Sequence, residues 1–356
     1  MTDRPSFIPP LVEVREAHRF DVGALEGYLR ARIDGFRGPI EVHQFRGGQS
    51  NPTYHLAAGG HEYVLRRKPP GKLLPSAHAV DREYRVITAL RGTGVPVPAT
   101  YLLCEDADIV GTPFYVMDYV RGRVITDTLI PGVEQAERAA IYDSMVEVQA
   151  RLHTLDWQKL GLADFGRPGN YFLRQIHRWT TQYRASETER IEAMERLIDW
   201  LPANLPPVDE TTIVHGDFRL GNMVVHPDEP RIIAVLDWEL STLGHPLADL
   251  AYNCIPWHVE RQTFDGFIGH DLEALGIPSE EEYVAAYCQR AGRARVEHWQ
   301  FCIAYALFRL AGIAQGIMGR VVAGTANDPH AIERGQRARP LAEAAWRLVE
   351  KGSTTS

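Results

Sequence analysis

The sequence predicts an α+β protein in two lobes: a small lobe built on an antiparallel sheet with one helix, then a large, mainly helical lobe. Three observations carry this. Between residues 40 and 120, short runs rich in β-branched and aromatic residues alternate with glycine turns, the texture of paired strands. Beyond Asp118-Tyr119-Val120-Arg121-Gly122 the apolar spacing becomes helical over most of the remaining chain. The 356 residues also suit two domains at roughly 150 residues each. The change of texture sets the expected boundary, giving residues 1–119, led in by a helix, and residues 120–356.

The elements follow in order. Residues 21–33 read as the leading helix, with Asp21 as its cap and Leu25, Tyr28, Leu29 and Ile33 on one stripe. A strand from Ile40 to Phe45 runs into Gly47-Gly48-Gln49-Ser50-Asn51. Tyr54–Ala57 and Glu62–Arg66 form a hairpin around Gly59-Gly60, a dipeptide that supplies the positive φ angles of a tight turn. After a loop at 69–76, residues 79–91 form a helix with Val80, Tyr84, Ile87 and Leu90 inward, and strands follow near 100–105 and 114–119. The second lobe is expected to hold helices at about 134–155, 171–184, 187–200, 280–291, 296–322 and 341–350. Its only β-like stretch runs from Ile213 to Leu236. No internal repeat or low-complexity segment interrupts this order.

Composition narrows the class. Hydrophobic residues make up 45% and charged residues 24%, enough apolar surface for a core, so disorder is excluded as the main state. Lys plus Arg number 38 against 46 Asp plus Glu, and a net charge of −8 argues against a nucleic-acid partner. Cys104, Cys254, Cys288 and Cys302 form no CxxC pair, so neither a zinc cluster nor a disulfide scaffold is expected. Four reduced, buried thiols of a cytoplasmic protein are expected instead. MTDRPSFIPP lacks the basic start and apolar run of a signal peptide. The stretch from Phe301 to Val322 carries Arg309, Gln315 and Arg320, so it reads as a buried helix and no membrane partner is expected. The chain is expected to act as a monomer or homodimer.

The chemistry is concentrated between Thr212 and Asp249. Met223–His226 and Arg231–Leu236 are apolar, β-rich runs joined by the turn signal Pro227-Asp228-Glu229-Pro230. A hairpin that pairs His226 with Arg231 sets Asn222 opposite Val235, with Asp237 two residues further, roughly 7 Å along the strand. Asn222 and Asp237 therefore meet at the hairpin's open end, and Asp217, five residues before Asn222, can reach the same place. Two carboxylates and an amide oxygen are hard ligands suited to Mg²⁺ shared with substrate phosphates, and unsuited to zinc.

His215-Gly216-Asp217-Phe218-Arg219-Leu220-Gly221-Asn222, followed by a hairpin and Asp237-Trp238-Glu239, resembles the catalytic core of the aminoglycoside phosphotransferase family, which also includes choline kinase and is related to the protein kinases. In kinases the catalytic loop reads H-R-D-x-K-x-x-N, with D-F-G beyond the hairpin. The resemblance implies a protein kinase-like two-lobed fold, with Asp217 as catalytic base, His215 bracing its loop and Arg219 where kinases place a lysine. It also implies Asn222 and Asp237 as Mg²⁺ ligands and ATP as co-substrate, with GTP the other triphosphate the pattern allows. Gly47, Gly48, Gln49, Ser50 and Asn51 stand where the family has its phosphate-covering loop, without a full GxGxxG. Val64-Leu65-Arg66 resembles the strand whose cation grips the phosphates, with arginine in place of the usual lysine. Strand alternation puts Arg66 and Lys68 on one face and Arg67 on the other, leaving all three as candidates. Glu83 matches the glutamate that pairs with this cation, and Tyr115 to Val120, with Met117 and Tyr119, matches the strand that contacts the adenine. Asp249 resembles the aspartate that braces the catalytic loop, although Gly244-His245-Pro246 replaces the more frequent GDP. The resemblance covers about 40–350.

Within the family, VLRRKPPGKLLPSAHAVDREYRV and AVLDWELSTLGHPLADLAY resemble the kinase-like domain at the N-terminus of some multidomain acyl-CoA dehydrogenases. That branch implies phosphorylation of hydroxyacyl-CoA substrates rather than oxidoreduction, since a flavin domain would require several hundred further residues. The expected acceptor is a hydroxyl on a small molecule, with Tyr171, Arg174, Trp179, Tyr183, Tyr252, Trp257 and Arg309 as candidates to line its site. The basic loop Arg66–Lys72 and the arginine-rich helix at 174–184 suit an anionic acceptor better than an aminoglycoside, a polycation that would call for carboxylates. A nucleotide-binding pseudokinase is the non-enzymatic alternative. An α/β-hydrolase is excluded because no GxSxG occurs.

Overall fold

The computed structural model describes residues 10–46, 51–70, 79–326 and 328–353. Its contacts divide the chain into two compact units, Met1–Thr126 with Gln158–Leu162 and Leu220–Ser241, and Asp127–Trp157 with Ala163–Arg219 and Thr242–Ser356.

The first unit is organised by a six-stranded antiparallel sheet. Its strands are β1 (Leu11–Val12), β2 (Ile40–Phe45), β3 (Thr53–Ala58), β4 (His61–Arg67), β5 (Thr100–Cys104) and β6 (Phe114–Asp118), in the order β1-β2-β3-β4-β6-β5. The β3–β4 hairpin closes with Ala58 opposite His61, so its turn is the dipeptide Gly59-Gly60, at φ 57° and 86°. Helix α1 (Val22–Arg30) starts where Asp21 accepts the Ala24 N–H at 2.9 Å, and it buries Leu25 and Leu29 against one sheet face with Tyr54, Leu56, Leu65, Phe114 and Val116. Helix α2 (Val80–Leu90) is rotated from the expected face: Glu83 and Val86 are buried with Val80, Ile87 and Leu90, while Tyr84 is half-buried. The reason is an inward ion pair of Glu83, described below. A short helix α3 (Ala107–Val110) ends at Gly111.

Leu220–Ser241 adds a three-stranded sheet of β7 (Arg123–Val124), β9 (Met223–Val225) and β10 (Ile232–Val235), ordered β10-β9-β7. Strand β7 was too short to be legible; Arg123 secures it by donating to His226 O at 3.0 Å. The hairpin register starts as expected, with the His226 N–H on Arg231 O at 2.8 Å and Ile232 opposite Val225. A bulge between Ile232 and Ala234 then shifts the pairing by one, so Val235 faces Met223 and the Leu236 N–H bonds Asn222 O at 2.8 Å. The expectation that Asn222 lies opposite Val235 is therefore corrected: the extra residue moves Asp237 one position closer to Asn222.

The second unit is mainly helical: α4 (Gln135–His153), α5 (Tyr171–Ala185), α6 (Glu192–Ala203), α7 (Pro246–Asn253), α8 (Arg261–Phe264), α9 (Leu272–Leu275), α10 (Glu280–Ala291), α11 (Trp299–Val322), α12 (Ala331–Gln336) and α13 (Ala338–Ser353). Helix α11 is long and apolar enough to cross a membrane, yet 78% of its most apolar window is buried, with α5, α7, α12 and α13 packed around it. Helix α6 starts later than expected because Gln315 draws the linker across α11, donating to Ser186 O at 2.7 Å and Thr188 Oγ1 at 2.9 Å. Two strands not foreseen separately, β8 (Thr212–Val214) and β11 (Thr242–Gly244), pair antiparallel. All four cysteines are buried free thiols.

His245 caps α7 with Pro246 at the first helical position, its Nδ1 accepting the Leu247 N–H at 3.2 Å. Burial pushes its imidazole down to about 4, against the opposing pull of Glu210 and Asp209 and with the help of Arg293. The ring is therefore neutral in the fold. A depressed folded value means that its stabilising contribution is present above the ordinary histidine range and is lost as pH falls from about 6.5 towards 4, by up to about 3 kcal/mol. Denaturant unfolding at pH 7 and pH 4.5 should show a smaller acid loss in His245→Asn, which keeps a capping side chain without the titration; equal losses would contradict this reading.

Candidate active site

In the first unit, β3, β4 and β6, α2 and the β9–β10 hairpin enclose a cavity of about 260 Å³. Val64, Ile87, Met117, Val124, Val224 and Val235 make its walls apolar, while Thr53, Arg66, Glu83, Asn222 and Asp237 gather polar groups, the composition of a small-ligand pocket. Phe45 and Tyr119 stack at 6.2 Å between ring centres, and both line the cavity. Met117 lines it from β6. The Tyr119 N–H is taken by Glu62 O at 3.3 Å, so it is not free to bond a ligand in the cavity.

The face of β4 is settled by its neighbours. Arg66 lies towards the cavity, and its Nε is 2.9 Å from Glu83 Oε2. Its Nη2 reaches Asp237 Oδ1 at 2.6 Å and Glu239 Oε2 at 3.4 Å. Arg67 faces the other way, donating to Tyr54 Oη at 3.0 Å and His18 O at 2.8 Å, which makes it a fastener of β4. Lys68 is 3.7 Å from Asp81 and does not line the cavity. Burial alone would lower the Arg66 guanidinium, but Glu83 and Asp237 outweigh it and hold the group above its usual range. Burial pushes the Glu83 carboxyl up to about 7; Arg66 opposes this, and Asp237 and Glu239 reinforce it. One cation is thus shared by three carboxylates.

Asp237 reaches Arg66 because its backbone is left-handed, at φ 64°, a region aspartate tolerates better than bulkier residues. Buried Trp238 locks the turn, donating from Nε1 to Val235 O at 2.9 Å. Asn222, in the turn before β9, lines the same cavity. Glu239 was not among the expected site residues, although its place directly after Asp237-Trp238 put it there; Asn51 Nδ2 lies 3.4 Å from its Oε2. Gly47, Gly48, Gln49 and Ser50 lie outside the described residues.

His215, Asp217 and Arg219 belong to the second unit. Buried Asp249 on α7 accepts the His215 N–H at 3.0 Å, the Gly216 N–H at 2.7 Å and a 3.2 Å hydrogen bond from His153 Nε2. Burial works to raise the Asp249 carboxyl, but His153 and the loop amide overcome it and keep the group below its usual range. Gly216 carries φ 84°, a left-handed conformation that glycine adopts without steric cost. His215 Nδ1 then accepts the Asp217 N–H at 3.2 Å, an arrangement that braces the loop from within. The Asp217 carboxylate takes a 2.7 Å hydrogen bond from Tyr252 Oη and two of 3.2 Å from Arg219 Nε.

Among the candidate acceptor residues, Tyr252 and Arg309 adjoin this loop, and Trp179 stacks on Arg309. Tyr171 is buried close to Arg309 and Tyr305. Trp257 instead donates to Pro278 O at 3.0 Å within an aromatic cluster with Phe267 and Tyr283. Tyr183 is fully buried, and Arg174 bonds Arg167 O.

Comparisons with known proteins identify the family. Rat and mouse proteins named acyl-CoA dehydrogenase family members 11 and 10 are 47% and 46% identical over 351 and 347 residues, each covering 97% of this chain. The chain spans only 45% and 32% of their lengths. A crystal structure from Ralstonia eutropha, of a chain assigned to the aminoglycoside phosphotransferases, superposes with a TM-score of 0.87 at 53% identity, covering 94% of this chain and 99% of that one. A ternary complex of aminoglycoside phosphotransferase APH(4)-Ia with ADP and hygromycin B shares the fold, at a TM-score of 0.60 and 16% identity over 91% of this chain and 98% of that one. The phosphotransferase enzyme family model matches residues 41–299. With its protein kinase-like fold and a family match over most of its residues, the chain belongs to the phosphotransferase enzyme family.

Proposed function

We propose that the protein is an ATP- and Mg²⁺-dependent kinase that transfers the γ-phosphoryl group to a hydroxyl of a small anionic metabolite, with a hydroxyacyl-CoA as the leading acceptor class. The observation that carries this is the cavity where Arg66, held by Glu83, meets Asn222 and Asp237. Among the described residues no cluster of three or more His, Cys, Asp or Glu side chains forms a metal site. Mg²⁺ does not need one: a carboxylate and an amide oxygen, completed by waters and phosphate oxygens, match its usual protein share. Asn222 and Asp237 would hold it, and when bound it neutralises charge on the β- and γ-oxygens.

The chain's own residues supply the rest. Arg66 binds the α- and β-phosphates, oriented by Glu83. Asp217 orients the acceptor hydroxyl; as the bond from the γ-phosphorus to ADP breaks and the one to the acceptor oxygen forms, the hydroxyl proton passes to Asp217. Arg219, donating from Nε to both carboxylate oxygens at 3.2 Å, helps orient Asp217 before transfer. The acceptor class is supported by the names of the curated relatives, which refer to acyl-CoA chemistry.

Thermal shift with Mg·ATP tests the nucleotide half, and ATP consumption across hydroxylated metabolites, hydroxyacyl-CoAs and aminoglycosides included, tests the acceptor half. Stabilisation without consumption of ATP for any acceptor would favour a pseudokinase; no stabilisation would overturn the proposal. Arg66→Ala is expected to raise the KM for ATP at least ~10-fold, the scale of losing a charge-assisted contact of about 1.5–3 kcal/mol, with little change for the acceptor. A change confined to the acceptor's KM would contradict the role given to Arg66.

A further inference from the structure

Helix α7 grips the Asp217 loop at two points. Asp249 holds the His215 and Gly216 amides, and Tyr252, one turn further on the same face, donates its hydroxyl to Asp217 Oδ1 at 2.7 Å. A third grip comes from α11: Arg309 donates from Nη2 to Gly216 O at 2.6 Å, and its guanidinium lies 4.9 Å above the Tyr252 ring and 5.7 Å from the Trp179 ring. Arg309 is 7% exposed and Tyr252 5%, so neither is a surface group that meets the loop by chance. Burial and the Asp217 charge both push the Tyr252 phenol upward, so it stays protonated and remains a donor.

We infer that Tyr252 is the residue that positions Asp217 for phosphoryl transfer, with Arg309 as its support. The inference rests on Asp217 being the base, as proposed above. Arg219, which also bonds the carboxylate, has a side chain 45% exposed, and an exposed arginine fixes a rotamer poorly. Tyr252 and Arg309 stand on helices, with the Arg309 guanidinium over the Tyr252 ring, the kind of support that holds a reacting group within a fraction of an ångström. Removing the Tyr252 hydroxyl therefore takes away the buried hydrogen bond to the carboxylate while leaving the ring, its stack with Arg309 and the Asp249 brace in place.

The experiment compares the wild type, Tyr252→Phe, Asp217→Asn and the double variant. It measures ADP release from Mg·ATP with water as acceptor, ATP + H₂O → ADP + phosphate, together with affinity for Mg·AMP-PNP. Tyr252→Phe is expected to lower kcat roughly 10-fold or more, a share of the ~10²–10⁴-fold worth of a positioned base, with KM for ATP and analogue affinity within about twofold. In the Asp217→Asn background the same change should cost nothing further, because the group it positions is already lost. An unchanged kcat in Tyr252→Phe, or an equal fold loss in both backgrounds, overturns the inference and leaves the role of Asp217 standing. Full turnover by Asp217→Asn removes the base assignment and this inference with it. If water is too slow an acceptor to measure, a crystal structure of Tyr252→Phe decides: a displaced or disordered Asp217 carboxylate supports the inference, and an unmoved one overturns it.

Discussion

Asp217→Asn is expected to reduce kcat by at least ~10²-fold, the scale of losing a positioned general base, while Mg·ATP still stabilises the protein. The loose transition state of phosphoryl transfer asks for an oriented hydroxyl and an acceptor for its proton, and asparagine can supply only part of the first. The loop geometry should survive the change. Asp249, His215 and Arg309 hold the backbone of residues 215–217 without using the Asp217 carboxylate, and an asparagine oxygen can still accept from Tyr252. Steady-state kinetics with an identified acceptor, beside thermal shift with Mg·ATP, separates the outcomes. Near-normal turnover would remove Asp217 from the mechanism, and lost ATP binding would recast it as a metal ligand.

Asp237→Asn is expected to abolish the Mg²⁺-dependent part of the stabilisation by ATP. A ligand at ~100 times its Kd stabilises the native state by about 2.7 kcal/mol, so the loss is large enough to read as a thermal shift. The variant also takes one of three carboxylates away from Arg66, so its melting temperature without ligand will move too. The decisive comparison is ATP with Mg²⁺ against ATP with EDTA in the same variant. A Mg²⁺ increment equal to that of the wild type would mean that Asp237 serves the fold through Arg66 and that the metal is held elsewhere.

Much of the first unit was legible because its signals are local. Gly59-Gly60 demands a tight hairpin, Asp21 caps a helix within four residues, and β3, β4 and β6 formed within a residue or two of their expected bounds. What escaped depends on pairing over distance. Strand β7 has two residues and exists only because β9 offers it an edge, and the bulge in β10 leaves no mark in an unbroken apolar run. The buried face of α2 differs from the one its apolar residues predict because Glu83, polar by type, turns inward for a charge 17 positions earlier in the chain. The ambiguity among Arg66, Arg67 and Lys68 could not be resolved by alternation alone. It took the opposite neighbours of the first two, Glu83 on one face and Tyr54 on the other, to separate them. Tyr252 and Arg309 were visible only as two aromatic and basic residues among seven candidates, since nothing in their spacing points at Asp217.

An arginine at position 66 also changes what reagents can find in this pocket. No lysine lines the described cavity, and Lys68 is held beside Asp81 away from it. A guanidinium is not deprotonated in proteins, so it offers no free amine for acylation. If the cavity holds the nucleotide as proposed, analogues that mark kinases by acylating a lysine would find no lysine amine among the described residues that line it. Reversible ligands that fill the apolar walls beside Phe45 and Tyr119 are then the better-suited probes of the proposed nucleotide site.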